Sequence, residues 1–446
     1  MADDHAAHAI SAYGSRINQT PNIDRIAAAG SRFTNCFCTN SICTPSRAAI
    51  LTGQYSHKNG VYTLNDRLDP KRNHVAKELQ HAGYQTAMIG KWHLASDPTG
   101  FDYWNILPGQ GVYYNPEFIE EGARKKHQGY CTDLIGDFSL DWLKRRNTQK
   151  PFFLMCHHKA PHRPWEPDPK YKNMFVGETI PEPDNLFDHY EGRARAVSTV
   201  TMRVGEDMNQ IDLKQPVPAG LKGDALRKWG YQIFIKDYLR CIRSVDDNVG
   251  RLLDYLDQEN LSSNTIVIYT SDQGFFLGDH GWFDKRLMYE ESLRMPFLMR
   301  YPGAINRDMV LNVDFAPTFL DYAGVPAPSE MQGRSFRQGV QGHTPRDWRK
   351  SMYYRYWMHN TSDHHVPAHY GLRTDRWKLI YYYGKPLGMK GAEPPDTQPD
   401  WELFDVRNDP REMHNLYHDP KYSDLVKKFT AELAVRQKET GDVPVS

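Results

Sequence analysis

Apolar positions along this 446-residue chain recur with two periods, and the two alternate. Val75, Leu79 and Ala82 share one helical face, and beyond Gly83 the run 85–90 reads as a short buried strand. The same order returns twice. Phe138, Leu140, Trp142 and Leu143 mark a helix over 137–146, followed by a strand over 151–156. Tyr238, Ile242, Val245, Val249, Leu252 and Leu256 stripe a long helix that feeds the β-branched strand 265–270. Helix then strand, repeated, predicts an α/β fold with a large mixed, mostly parallel sheet sandwiched by helices. Shorter helices over 22–30 and through Phe319 and Leu320 add to the cover. From 351 onward the pattern changes to strands at 351–357, 370–373 and 377–383, a segment at 401–405 and a closing helix over 422–439. That predicts a smaller α+β unit, so the chain divides into 1–346 and 347–446. Between 171 and 222 the sequence is proline-rich and polar with little period, which predicts a surface insertion.

Composition narrows the function classes. Lys+Arg and Asp+Glu both count 55, so the formal charge cancels. A general nucleic-acid or membrane-surface binder shows a basic excess, so anion recognition here is expected to be local. Aromatics make up 12%, with 26 Tyr and 10 Trp, a supply that suits sugar rings and equally suits core packing. Six cysteines in a chain of this length form no dense framework, and setting Cys43 aside leaves an odd number. No apolar run approaches a membrane span, and no signal segment opens the chain.

The stretch from Ser41 to Gly53 carries the most chemistry. Pro45 suits the first turn of a helix, Ser46 to Leu51 continue it, and Gly53 ends it. Cys43 is thereby placed just before a helix N-terminus, where free N–H groups and the helix dipole favour an anion, and Arg47 adds a positive charge one turn on. Taken alone, Cys43 reads either as a small buried hydrophobe or as a thiolate nucleophile that needs a base and a lowered pKa. Other polar groups follow predicted strands: Lys91 and His93 after 85–90, His157, His158 and His162 after 151–156, and Asp272 and Gln273 after 265–270. Ligands of open α/β sheets gather outside the carboxyl ends of strands. The adjacent carboxylates Asp3 and Asp4 suit a hard cation.

Cys43-Thr44-Pro45-Ser46-Arg47 followed by Leu51-Thr52-Gly53 resembles the signature of the type I, formylglycine-dependent sulfatases of the alkaline phosphatase superfamily. Gly90-Lys91-Trp92-His93-Leu94 resembles their second motif, and Asp3-Asp4, His162, Asp272-Gln273 and Lys285 follow in the family's order. Glu402-Leu403-Phe404-Asp405, continuing to Asn415-Leu416, resembles the family's C-terminal subdomain. The resemblance implies an alkaline-phosphatase-like catalytic domain over 1–346 and a C-terminal subdomain over 347–446. It implies that a formylglycine-generating enzyme or an anaerobic maturase converts Cys43 to formylglycine. One calcium ion is then expected on Asp3, Asp4, Asp272, Gln273 and the modified Cys43. Arg47, Lys91 and Lys285 are expected to clamp the sulfate while the aldehyde hydrate attacks sulfur. His162 is expected to protonate the leaving oxygen, His93 to assist release of sulfate, and His280 to lie near the sugar. Gln273 departs from the pattern, since many relatives have Asn there, although an amide oxygen serves in either case.

Within the family, segments 275–296 and 351–383 resemble polysaccharide and glycosaminoglycan sulfatases, so a sulfated carbohydrate is the expected substrate. A phosphonate monoester or phosphodiester hydrolase, an arylsulfatase, and a non-catalytic sulfated-glycan binder stand as alternatives. His364, His365 and His369 between the C-terminal strands read as solvated loop residues or as residues reaching the cleft. Relatives are periplasmic or secreted and place a hydrophobic strand before the paired aspartates, so the expectation is that the native start and any export signal lie outside this sequence. The connection before Asn312 is likewise short against the family pattern.

Overall fold

The computed structural model describes residues 1–301 and 305–445. The strand Gln85–Lys91 runs parallel to Tyr103–Leu107 on one side and to Phe152–His157 on the other. Two antiparallel strands, Glu117–Glu120 and Ala123–Lys126, extend this half of the sheet outward. In the other half, Val267–Thr270 pairs with Phe297–Arg300, which pairs with Ser31–Phe33, and Ile305–Asn306 closes the edge. The first residues of the chain join the halves. His158 donates its N–H to the Met1 carbonyl at 2.9 Å, Ala2 donates to the Thr270 carbonyl at 3.0 Å, and Ala2 bridges Ser271 in parallel. The result is one mixed sheet whose centre is parallel.

Side-chain alternation explains the sandwich. Ala87 and Ile89 pack with Cys131, Ile135 and Trp142 of the helix Cys131–Arg145. Met88, on the opposite face, packs with Val75 and Leu79 of Val75–His81 and with Ala316 and Leu320 of Phe315–Tyr322. Strand side chains point alternately to the two faces, so a strand covered on both sides is apolar at every position. Each large aliphatic side chain fully buried in this way contributes about 1.5–3 kcal/mol.

Three departures from the sequence reading have physical causes. The long helix spans Gly223–Gln258, starting well before Tyr238, because Tyr231, Phe234 and Ile235 continue its buried face. The segment 171–222 holds only the short helices Arg195–Ser198 and Gln210–Leu213 in its later half, yet Ala194, Ala196, Val197, Val200 and Met202 are buried in the main core. It is therefore anchored as well as superficial, and its proline-rich composition hid these few apolar anchors. Finally, the C-terminal sheet of Ser351–Tyr356, His369–Thr374, Trp377–Tyr382 and Asp400–Asp405, antiparallel throughout and backed by Ser423–Thr440, shares its core with the rest. Tyr353, Tyr354, Leu372, Phe404 and Phe429 belong to the same apolar cluster as Phe297, Phe315 and Tyr289. The change at 346/347 is one of topology inside a continuous core.

Among the described residues no helix is long and apolar enough to cross a membrane. All six cysteines carry free thiols. The short connection expected before Asn312 includes residues 302–304, which lie outside the described residues.

Candidate active site

Strand ends bring the polar residues together. Asp3 and Asp4 end the joining segment, Lys91 ends Gln85–Lys91, and Asp272 and Gln273 lie just past Val267–Thr270. Cys43 is the first residue of the helix Cys43–Thr52, one position further in than the sequence reading placed it, and Gly53 closes that helix in the left-handed conformation at φ 66°. Arg47 reaches Asp272 Oδ2 at 3.0 Å and Asp3 Oδ2 at 3.4 Å and donates to the Lys91 carbonyl at 2.5 Å. The Lys91 ammonium pairs with Asp3, and Lys285 Nζ binds both Asp4 oxygens at 2.7 and 2.6 Å. Cys43 Sγ lies 3.5 Å from Asp3 Oδ1, His162 Nε2 lies 3.7 Å from Asp4 Oδ2, and His93 Nδ1 lies 3.4 Å from the Thr44 hydroxyl. Three carboxylates thus face three cations, all buried.

Burial and neighbouring charges divide the titration behaviour of these groups. Burial works to raise Asp3, but Lys91 and then Arg47 outweigh it and hold the carboxyl well below the usual range. Burial lifts Asp4 to about 7 despite Lys285, and burial followed by the Asp3 charge raises Asp272. The Cys43 thiol is pushed well above its ordinary value by burial and then by Asp3. Burial and the Asp3 charge thus work against the helix N-terminus and disfavour the Cys43 thiolate. Burial, with Lys91 next, holds His93 and His162 well below the ordinary imidazole value, so both rings are neutral in the free protein.

Comparison with known proteins decides the family. The sulfatase family profile matches residues 1–325, and that of the N-sulphoglucosamine sulphohydrolase C-terminal region matches residues 278–439. The chain belongs to the sulfatase family. It is a sulfuric ester hydrolase with the alkaline-phosphatase-like fold. This sulfatase is 43% identical to the N-acetylglucosamine-6-O-sulfatase of Bacteroides thetaiotaomicron, over 99% of this chain and 86% of that protein. It superposes with a TM-score of 0.94 on the solved structure of BT4656 in complex with its substrate D-glucosamine-2-N,6-O-disulfate, at 42% identity over 99% and 97% of the two chains. The fold is also that of the phosphonate monoester hydrolase of Agrobacterium radiobacter, with a TM-score of 0.75 at 19% identity, covering 98% of this chain and 94% of that one.

Sulfatases generally use a formylglycine and a metal ion, and the donor set here fits such an ion. Asp3, Asp4 and Asp272 present carboxylate oxygens within 4.8 Å of one another. Gln273 donates its amide N–H to Asp4, while its Oε1 is buried without a hydrogen-bond partner. An orphaned buried acceptor beside three carboxylates is what an oxygen-seeking cation such as calcium would satisfy.

Sequence reasoning missed part of the site. Asp284 and Arg286 flank Lys285 and both have positive φ, 77° and 92°. Asp284 Oδ2 lies 3.1 Å from His364 Nε2, and Arg286 Nε lies 3.4 Å from Asp284 Oδ1. His364 is thus buried against the Asp284 carboxylate, so of its two readings, solvated loop residue or residue turned inward, the structure favours the second. Asp4 and His93 also have positive φ, 66° and 56°, and such outliers gather at functional sites. In contrast, the structure does not bring His280 to the cluster. Its ring is 0% exposed, sits 2.9 Å from Asp188 Oδ2 and packs on Trp282 and Tyr289. His280 itself has a left-handed backbone, φ 56°.

Proposed function

We propose that this sulfatase removes a sulfate ester from a carbohydrate, and that the sulfated unit is a 6-O-sulfated glucosamine or N-acetylglucosamine. The observation that carries this reading is the near full-length likeness, at 43% identity to a curated relative named for 6-O-desulfation of N-acetylglucosamine and at 42% to a solved structure holding a 6-O-sulfated glucosamine as its substrate. The cluster of opposed charges supports it. With Cys43 converted to formylglycine and calcium held by Asp3, Asp4, Asp272, Gln273 and that residue, the site would supply a hydrated aldehyde as nucleophile and an electrophile that neutralises sulfate.

The protein's own side chains supply the rest. Arg47, Lys91 and Lys285 hold the ester oxygens in a preorganised cationic frame whose worth lies in needing no rearrangement during reaction. His162 presents Nε2 to the departing sugar oxygen. The arriving sulfate charge favours protonation of that nitrogen, and the proton passes to the oxygen as its bond to sulfur breaks. His93, beside Thr44, takes the proton whose loss frees inorganic sulfate. Asp284, Arg286 and His364 flank the Lys285 position with a carboxylate, a guanidinium and an imidazole, a set complementary to sugar hydroxyls.

The same reading includes a maturase acting on Cys43 during biosynthesis and a periplasmic or secreted location. Both are checked by peptide mass at Cys43 and by cell fractionation. The deciding experiment measures sulfate release from glucosamine 6-sulfate, N-acetylglucosamine 6-sulfate, their galacto counterparts and 4-nitrophenyl sulfate, using protein co-expressed with a formylglycine-generating enzyme. Bis(4-nitrophenyl) phosphate and a phosphonate monoester serve as competitors. Preferred release from the two gluco sugars is expected; faster hydrolysis of the phosphorus esters by protein whose aldehyde is in place would overturn the reading.

A further inference from the structure

Asp212 and Arg163 lie outside the chemistry described so far. Arg163 follows His162 directly, and its guanidinium meets the Asp212 carboxylate through two parallel bonds, Nε to Oδ1 at 3.0 Å and Nη2 to Oδ2 at 2.5 Å. Such bidentate pairs are both strong and directional. Asp212 is 1% exposed. Its Oδ2 also accepts the Asn209 N–H at 3.1 Å, while the Asn209 side chain accepts the Asp212 N–H at 3.1 Å, so the carboxylate is held from both sides. The Arg163 guanidinium rests over the Phe283 ring at 5.3 Å, two residues before Lys285.

At its backbone, Arg163 touches the proposed proton donor. His162 Nδ1 lies 2.7 Å from the Arg163 carbonyl oxygen. A carbonyl only accepts, so Nδ1 carries the hydrogen and Nε2 is the nitrogen turned toward Asp4 and the reacting groups. The Tyr113 hydroxyl donates to the His162 carbonyl at 2.5 Å and fixes the other side of the same turn.

We propose that Asp212 is a positioning residue for His162. By clamping the Arg163 side chain it fixes the carbonyl that orients the imidazole, and so couples the segment 171–222 to proton transfer onto the leaving oxygen. The inference rests on the role given to His162 above. A well-placed general acid contributes about 10²–10⁴ in rate, and a small misplacement forfeits part of that.

The test is a double-mutant cycle on matured enzyme, with kcat and KM measured on the sulfated sugar that the panel identifies. Asp212→Asn is expected to lower kcat about tenfold and to leave KM within about twofold, as loss of an interaction made only in the transition state does. In a His162→Ala background it is expected to lower kcat no further, because the effect passes through the imidazole. Equal losses in both backgrounds overturn the inference and leave the role of His162 standing. Wild-type kcat in His162→Ala alone overturns that role and the inference with it. Arg163→Lys keeps the charge over Phe283 but gives up the fork, and it carries the test should Asp212→Asn unfold. The same background-dependent loss is expected of it, and unchanged kcat overturns the proposal.

Discussion

Arg47 sends its donors to two carboxylates and one carbonyl, binding Asp272, Asp3 and the end of the strand that carries Lys91. A lysine has the charge without the fork, so Arg47→Lys is expected to lower kcat/KM about a hundredfold, measured by sulfate release. Cys43→Ala is expected to reduce turnover to background in the same assay, and a variant that keeps wild-type turnover would refute the proposed nucleophile. Gln273 carries the test of the metal reading. Gln273→Leu removes the orphaned oxygen at nearly constant volume and is expected to weaken calcium binding about tenfold by calorimetric titration. Most of these residues were legible in the sequence because the chemistry demands particular side chains at short fixed spacings, as in Cys43 to Arg47. Asp284 and Arg286 were not, and His364 was legible only as one of two open readings, since their meaning lies in a contact between two segments distant in sequence that no local pattern encodes. His280 was expected near the sugar from the resemblance alone, and its full burial beside Asp188 is a feature that no local pattern encodes.

At the scale of elements, Gly90 shows how tightly the central strands are joined. Its φ of 100° is one that side-chain-bearing residues avoid, and a Cβ there would meet the His157 carbonyl oxygen at 2.0 Å. Gly90→Ala is therefore expected to destabilise the protein by about 3 kcal/mol or more in denaturant unfolding, combining backbone strain with overpacking. Loss of activity should accompany loss of stability, because Lys91 and His93 follow directly. Elements with a strong period were readable with small shifts at their ends, as for Val75–His81 and Gln85–Lys91. Elements whose burial comes from distant partners were not. The strand Phe297–Arg300 is set by pairing with Ser31–Phe33 and Val267–Thr270, and no strand was predicted there.

For the molecule as a whole, Glu402 ties the C-terminal sheet to the remainder, accepting from the Tyr289 and Tyr382 hydroxyls and from the Ala194 N–H. Burial, only partly opposed by Arg193, lifts its carboxyl from 4.5 to about 7. The folded form thus holds a proton that the unfolded chain releases first, and stability falls as pH rises from about 4.5 to about 7, by up to about 3 kcal/mol from this group. Glu402→Gln, which cannot ionise, is expected to flatten that fall. The difference in unfolding midpoint between variant and wild type should grow from pH 5 to pH 7, and a constant difference would refute the assignment. The α/β class was readable from the alternation of periods; the shared core across 346/347 was not, because each half carries its own regular pattern. One consequence of the joining segment concerns time. Asp3 and Asp4 are synthesised before either neighbouring strand exists, and the cluster lacks a member until Lys285 has been added. At about 5–20 residues per second this leaves Cys43 in an open chain for roughly ten to fifty seconds after it is made. Folding then buries it to 1% exposure. The same act of closure that assembles the site would end the interval in which the proposed maturase could reach the proposed nucleophile.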